Sequence, residues 1–208
     1  DSMDRDHLYR IEPEPLLVII SGPSGVGKDT LVERMEELGC PFYFVVTATD
    51  RPPRSEEVEG EDYFFVSTEE FERMKEEDEL LEYAVVYGQY KGVPKQQVRE
   101  AMASGKDVVM RLDVQGAATI REIVPDAVLV FLAASSEEEL KERLRDRGGD
   151  SHEQVERRIA TAHEEMKKLP AFDYVVVNRD DKLDHAVDDV LAVIRAEHCR
   201  VDQRKVNL

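Results

Sequence analysis

Short, wholly apolar runs alternate along this chain with longer stretches whose apolar residues recur every three or four positions. The first run, Leu16-Leu17-Val18-Ile19-Ile20, has no polar alternation. That is the pattern of a strand buried on both faces of a parallel sheet. A glycine-rich turn follows, then residues 30–38 at helical spacing, closed by Gly39. Residues 42–46 read as a second strand. From about Thr47 to Gly92 the rhythm changes: 63–66 and 80–87 read as strands around a helix that begins at Ser67-Thr68-Glu69-Glu70, a capping-box sequence. Alternation then resumes, with helices predicted over 94–103 and 117–123 and strands over 107–112 and 127–132. Ser136 and Ser151 each open a further capped helix, the second running to about 169. The last strand is 173–178, and Leu183, Val187, Val190, Leu191 and Ile194 mark the final helix. Five core strands alternating with helices predict an α/β domain, a doubly wound parallel sheet with a small mixed α+β insertion between its second and third strands.

Length and composition narrow the class. The 208 residues suit one domain, and no apolar run approaches the ~18–20 residues of a membrane span. With 28 Lys plus Arg against 46 Asp plus Glu, the net charge is −18. So acidic a chain lacks the basic footprint of a nucleic-acid binder, yet a few placed arginines still make a positive pocket for a small phosphorylated ligand. Solubility and a salty cytosol both account for the acidity. Cys40 and Cys199 stand alone, without zinc-ligand spacing, and reduced thiols are expected rather than a disulfide framework. The first residues are acidic and polar, unlike a signal or transit peptide, so the expected location is cytoplasmic.

The turn after the first strand is Gly22-Pro23-Ser24-Gly25-Val26-Gly27-Lys28. It satisfies G-x-x-x-x-G-K between a strand and a helix, the context of a P-loop. Glycines let the backbone wrap a polyphosphate with N–H groups inward, the helix N-terminus adds favourable charge, and Lys28 reaches the β/γ oxygens. The hydroxyl residue that usually follows, a Mg2+ ligand, is replaced by Asp29, with Thr30 behind it. A carboxylate is a hard oxygen donor, which makes Asp29 the candidate Mg2+ ligand. It also brings negative charge beside the phosphates, and loss of the metal contact is the other reading.

A second cluster, Thr49-Asp50-Arg51-Pro52-Pro53-Arg54-Ser55-Glu56-Glu57, precedes Gly60 and Tyr63-Phe64-Phe65. Alone, Arg51 and Arg54 on a Pro-stiffened segment fit a two-fork phosphate clamp and a solvated loop equally. Together with the P-loop the segment resembles the T-T-R-x-P-R-x-G-E…G-x-x-Y-F-F signature of guanylate kinases, and the resemblance continues to the final helix. It implies that Arg51, Arg54 and Tyr63 grip the phosphate of the acceptor GMP, and that Glu82 and Asp113 accept from the guanine donors. It further implies that Arg147 and Arg158 are lid arginines over the transferring phosphoryl, and that Asn178 lies against the ATP adenine. Arg143, one turn before Arg147, is read as assisting them.

The chain also departs from the family pattern. Lys91 stands where a second phosphate-binding tyrosine is usual, Val93 replaces a hydroxyl that reads guanine, and Arg111 replaces the first carboxylate of D-x-D-x-Q-G. Asp50 and Glu56 replace Thr and Gly. Asp29 together with K-G-V-P-K-Q-Q and R-x-D-x-Q-G-A-A-T resembles the plant-organelle-like branch. The resemblance implies an ATP:GMP phosphotransferase using Mg2+, with ATP and GMP (or dGMP) as partners and a monomer or homodimer as the assembly. The implied working parts are a core (16–48 and 93–208), a GMP-binding insertion (49–92) and a helical lid at about 145–158. The rival readings are a P-loop kinase with another phosphorylated acceptor and a non-catalytic binding module. His152, His163, Glu137–Glu139 and the pair Glu164 and Glu165 read as solvated surface.

Overall fold

The computed structural model describes residues 13–86, 88–146 and 151–208. Its first unit is β1 (Leu17–Ser21), the glycine loop and α1 (Lys28–Glu37), followed by β2 (Tyr43–Phe44). The chain then builds β3 (Thr47–Thr49), β4 (Tyr63–Phe65), α2 (Thr68–Glu76), β5 (Leu80–Val86) and β6 (Gln89–Pro94). It returns through α3 (Lys95–Ala103), β7 (Val108–Arg111), α4 (Val114–Ile123) and β8 (Val128–Ala134). The last elements are α5 (Glu137–Asp146), α6 (His152–Met166), β9 (Tyr174–Asn178) and α7 (Leu183–His198).

Five strands form a wholly parallel sheet in the order β2-β7-β1-β8-β9. Every residue of β1 is buried, and the strand's two-residue period divides its side chains between two cores. Val18 and Ile20 pack with α1, α5, α6 and α7, whereas Leu17 and Ile19 pack with α3 and α4. Helices therefore cover both faces, the doubly wound arrangement predicted. The serine caps form as well: Ser67 Oγ accepts from the Glu70 N–H at 3.0 Å, and Ser151 with Gln154 makes a full capping box. Helix α4 begins at Val114, three residues before the expected start, because Asp113 caps it by accepting from the Gly116 N–H at 2.7 Å.

The middle segment contains more strand than its sequence suggested. It is a four-stranded mixed sheet, β4-β3-β6-β5, in which β3 pairs parallel to β4 and β6 runs antiparallel to β3 and β5. The expected second strand, 42–46, shortens to the two residues of β2, and the chain joins the second sheet directly after it, at Thr47. Strand β6 escapes sequence reading because it contains Gly92 and ends in Pro94. The glycine is required by packing: a Cβ there would lie 2.9 Å from Phe71 Cζ on α2. Between β2 and β3, both backbone groups of Val46 pair with one side chain. Gln97 Oε1 on α3 accepts from the Val46 N–H at 2.6 Å, and Gln97 Nε2 donates to the Val46 carbonyl at 2.9 Å. Cys40 and Cys199 are free thiols. Among the described residues, no helix is long and apolar enough to cross a membrane.

Candidate active site

A cleft of about 370 Å3 opens at the carboxyl ends of β1 and β7, walled by the glycine loop on one side and the second sheet on the other. That is where open α/β sheets bind ligands. Gly22 has φ 139°, and a Cβ on it would come within 2.2 Å of the Leu132 carbonyl oxygen of β8. Only glycine fits so close to a neighbouring strand. Behind the loop, the Val26 carbonyl accepts from Asn178 Nδ2 at 2.9 Å and Arg143 Nη1 at 3.2 Å. Arg143 also donates to the Asn178 carbonyl at 2.9 Å and to Asp180. Neither Asn178, which is 6% exposed, nor Arg143 reaches the cleft wall. In this arrangement the Arg143 guanidinium braces the loop from behind.

Inside the loop, Lys28 Nζ donates to the Gly22 carbonyl at 2.7 Å and the Pro23 carbonyl at 3.0 Å. Burial pushes its pKa below the usual lysine value, opposed by Asp29, Glu165 and Asp113. Opposite it, Glu165 Oε2 on α6 accepts from the Ser24 N–H at 2.9 Å. Glu165 is half-buried and lines the cleft, and Glu139 is buried, so their reading as solvated surface is corrected, whereas Glu164 is exposed. Burial holds the Glu165 carboxyl above its ordinary pKa, while the Ser24 N–H and Lys28 pull it down.

At the other end of the cleft three cations surround one ring. Arg51 Cζ, Arg111 Cζ and Lys91 Nζ lie 4.8, 5.2 and 5.4 Å from the Tyr63 ring centroid, within the reach of cation–π attraction. Arg51 is 8% exposed and forms a two-pronged pair with Glu57. Glu57 also accepts from the Arg54 N–H at 2.8 Å. Hydrogen bonds from Arg51 hold the Glu57 carboxyl down at about 2. The Arg54 side chain is exposed on the rim of the cleft. Asp50 faces away from this cluster and ties the strands together, accepting from the Tyr90 N–H at 2.7 Å and from Thr68 Oγ1 at 3.0 Å.

Deeper in the cleft, Glu82 is 5% exposed. Burial first, and the nearby Asp113 second, raise its pKa to about 8. It lies against the start of α4, where a Cβ on Gly116 would meet Glu82 Oε1 at 2.8 Å. Val93, directly across the ladder from Glu82, is fully buried in the core. Asp29 and Thr30, in the first turn of α1, also line the cleft, as does Arg158 of α6. Arg147 lies outside the described residues. Sequence reading assigned no role to Glu57 or Glu165. The spacing Arg158–Ala162–Glu165, at i, i+4 and i+7 on one helical face, was the signal available for the latter.

The chain matches the guanylate kinase family profile over residues 14–197. It is 52% identical over 197 residues to guanylate kinase 2, chloroplastic/mitochondrial, of Oryza sativa subsp. japonica, covering 94% of this chain and 69% of the rice protein. It is 44% identical to the guanylate kinase of Caldanaerobacter subterraneus subsp. tengcongensis, covering 94% of each chain. The crystal structure of guanylate kinase from Anaplasma phagocytophilum superposes with a TM-score of 0.74 at 28% identity, covering 91% of this chain and 89% of that one. With this degree of similarity along nearly its whole length, the chain belongs to the guanylate kinases, the ATP:GMP phosphotransferases.

Proposed function

We propose that this cleft binds ATP by its glycine loop and GMP by the second sheet, and that the acceptor phosphate attacks the γ-phosphorus in line. The observation that carries the reading is the meeting, in one cleft, of Lys28 with the cations around Tyr63 and the buried carboxylate Glu82. Little covalent work falls to a protein in phosphoryl transfer; positioning and charge neutralisation do most of it. In this reading Lys28 leaves the Gly22 and Pro23 carbonyls for the β/γ oxygens, and Ser24 exchanges Glu165 for phosphate. Arg51, Arg54, Tyr63 and Lys91 hold the acceptor phosphate, Glu82 and Asp113 take the guanine donors, and Arg158 with Arg147 completes the lid. Asn178 supports ATP binding indirectly, through Val26. The cofactor is Mg2+. The half-exposed Asp29 carboxylate, beside Lys28, is an oxygen donor of the kind that ion takes, and Asp29 would hold it together with the nucleotide. When bound, Mg2+ neutralises charge on the β- and γ-phosphoryl oxygens.

The working parts of this reading are the core, the insertion at 49–92 and the lid at about 145–158. Fractionation tests the proposed cytoplasmic location, which an organelle-confined signal would replace. Sedimentation separates the monomer and homodimer readings. An ADP-release assay with GMP, dGMP, AMP, UMP and no acceptor tests the chemistry. GMP should exceed AMP by about 1,000-fold in kcat/KM, within the range of a site that reads hydrogen bonds. Comparable efficiency with AMP would reject the roles given to Glu82 and Asp113.

Lys91 has its own test. Its ammonium reaches the Tyr63 ring from a half-buried position on β6. Lys91→Ala should raise the KM for GMP roughly tenfold, as expected for loss of a charge-assisted hydrogen bond, and leave the KM for ATP nearly unchanged. Equal changes in both constants would point to a general closure defect.

A further inference from the structure

Arg111 is the last residue of β7 and pairs in register with Ile20 of β1, so it stands beside the root of the glycine loop. Its side chain is only 14% exposed and makes three contacts. Nε lies 3.5 Å from Asp29 Oδ1, Nη2 donates to the Asp62 carbonyl at 2.8 Å, and the guanidinium covers Tyr63. One side chain therefore touches both the ATP end and the acceptor end of the cleft.

The two charged partners are also two of the places where the chain departs from its motifs. A carboxylate, Asp29, stands where the P-loop has a hydroxyl, and a cation, Arg111, stands where the family pattern has a carboxylate. Either change alone is unfavourable. Asp29 facing a second carboxylate would be repelled, and it would leave an uncompensated negative charge beside the triphosphate. Arg111 facing a hydroxyl would be a largely buried cation that has lost its nearest anion and keeps only the more distant Glu33 and Glu36 carboxylates. Made together, the changes compensate.

We propose that Arg111 is the positioning residue for Asp29, and that this pair joins the two nucleotide sites. Arg111 neutralises and orients the substituted carboxylate at the ATP end, and its guanidinium braces Tyr63 at the acceptor end. The proposal rests on the phosphotransfer reading above and assigns a role to Arg111, which that reading does not use.

Calorimetric binding of ADP, with EDTA and with Mg2+, and of GMP tests it on the native chain, Arg111→Ala, Arg111→Gln, Asp29→Ser and Arg111→Ala/Asp29→Ser. Gln retains a donor for the Asp62 carbonyl but no charge, which separates charge from tethering. Loss of Arg111 by either substitution should weaken metal-free ADP binding about tenfold, because Asp29 then repels the phosphates. Adding Asp29→Ser should restore ADP binding to within about twofold of the native chain, as the repelling charge is gone. GMP binding should weaken in Arg111→Ala with or without the second change, because the Tyr63 brace does not pass through Asp29. Equal ADP weakening in Arg111→Ala and the double variant would overturn the pairing. A lowered melting temperature with native ADP and GMP binding would make Arg111 a structural tie and overturn the proposal. Native protein that bound neither nucleotide would strike instead at the phosphotransfer reading.

Discussion

Lys28→Met should lower turnover about 1,000-fold, roughly 4 kcal/mol of transition-state stabilisation, the scale of removing one preorganised electrostatic group. The fold should survive. The ammonium is held by two loop carbonyls, and burial keeps its pKa below the usual value. A lysine pKa lowered by folding means that the charged form costs stability, most fully below the folded pKa, and that the cost fades as pH rises through it. A methionine of similar length removes that cost, so the melting temperature at neutral pH should not fall. GMP binding, which this reading places at the other end of the cleft, should persist. Turnover within tenfold of native would remove Lys28 from the chemistry.

The second large effect belongs to Glu82. Burial pushes its carboxyl up to about 8, whereas guanine presents donors that need the ionised form. The KM for GMP should therefore rise about tenfold for each pH unit below 8, down to about pH 6, while the KM for ATP changes much less. A GMP constant that is flat between pH 6 and 8.5 would exclude Glu82 from base recognition. Stability runs the opposite way. Folding raises this pKa, so the fold gains from the protonated group below about pH 4.5 and loses that gain as pH climbs through 8. Converting a rise from 4.5 to about 8 gives roughly 5 kcal/mol withheld from the ionised fold. Glu82→Gln should consequently raise the melting temperature at pH 9 by about 10–20 °C and abolish measurable GMP turnover. Loss of both would make Glu82 a structural residue.

The parts legible in the sequence were those whose signal is local. The apolar run 16–20, the glycine spacing from Gly22 to Lys28 and the serine caps each carry their physics within a few residues. The acceptor cluster was legible only through resemblance, because Arg51 and Arg54 alone do not distinguish a clamp from a solvated loop. What escaped depends on the fold. Strand β6 hides behind a glycine that Phe71 requires. Glu57 looks like one acidic loop residue among several until Arg51 folds onto it. Glu165 differs from its neighbour Glu164 only in helical phase, and phase has meaning only once α6 lies over the glycine loop. Arg143 and Asn178 sit at expected positions, yet their side chains brace Val26 from behind. Orientation of that kind is set by the partners rather than by spacing.

The Gln97 contact with Val46 has a mechanical consequence. Val46 lies on the chain between the parallel sheet and the second sheet, where a swinging movement would strip backbone groups from a ladder and leave them without partners. Here neither group belongs to a ladder, because one amide from α3 satisfies both. A turn of the second sheet about Val46 would therefore leave the number of hydrogen bonds at that point unchanged, as a pin does in a door. Such a joint would exert no preference of its own between an open and a closed cleft, and the choice would fall to what the cleft holds.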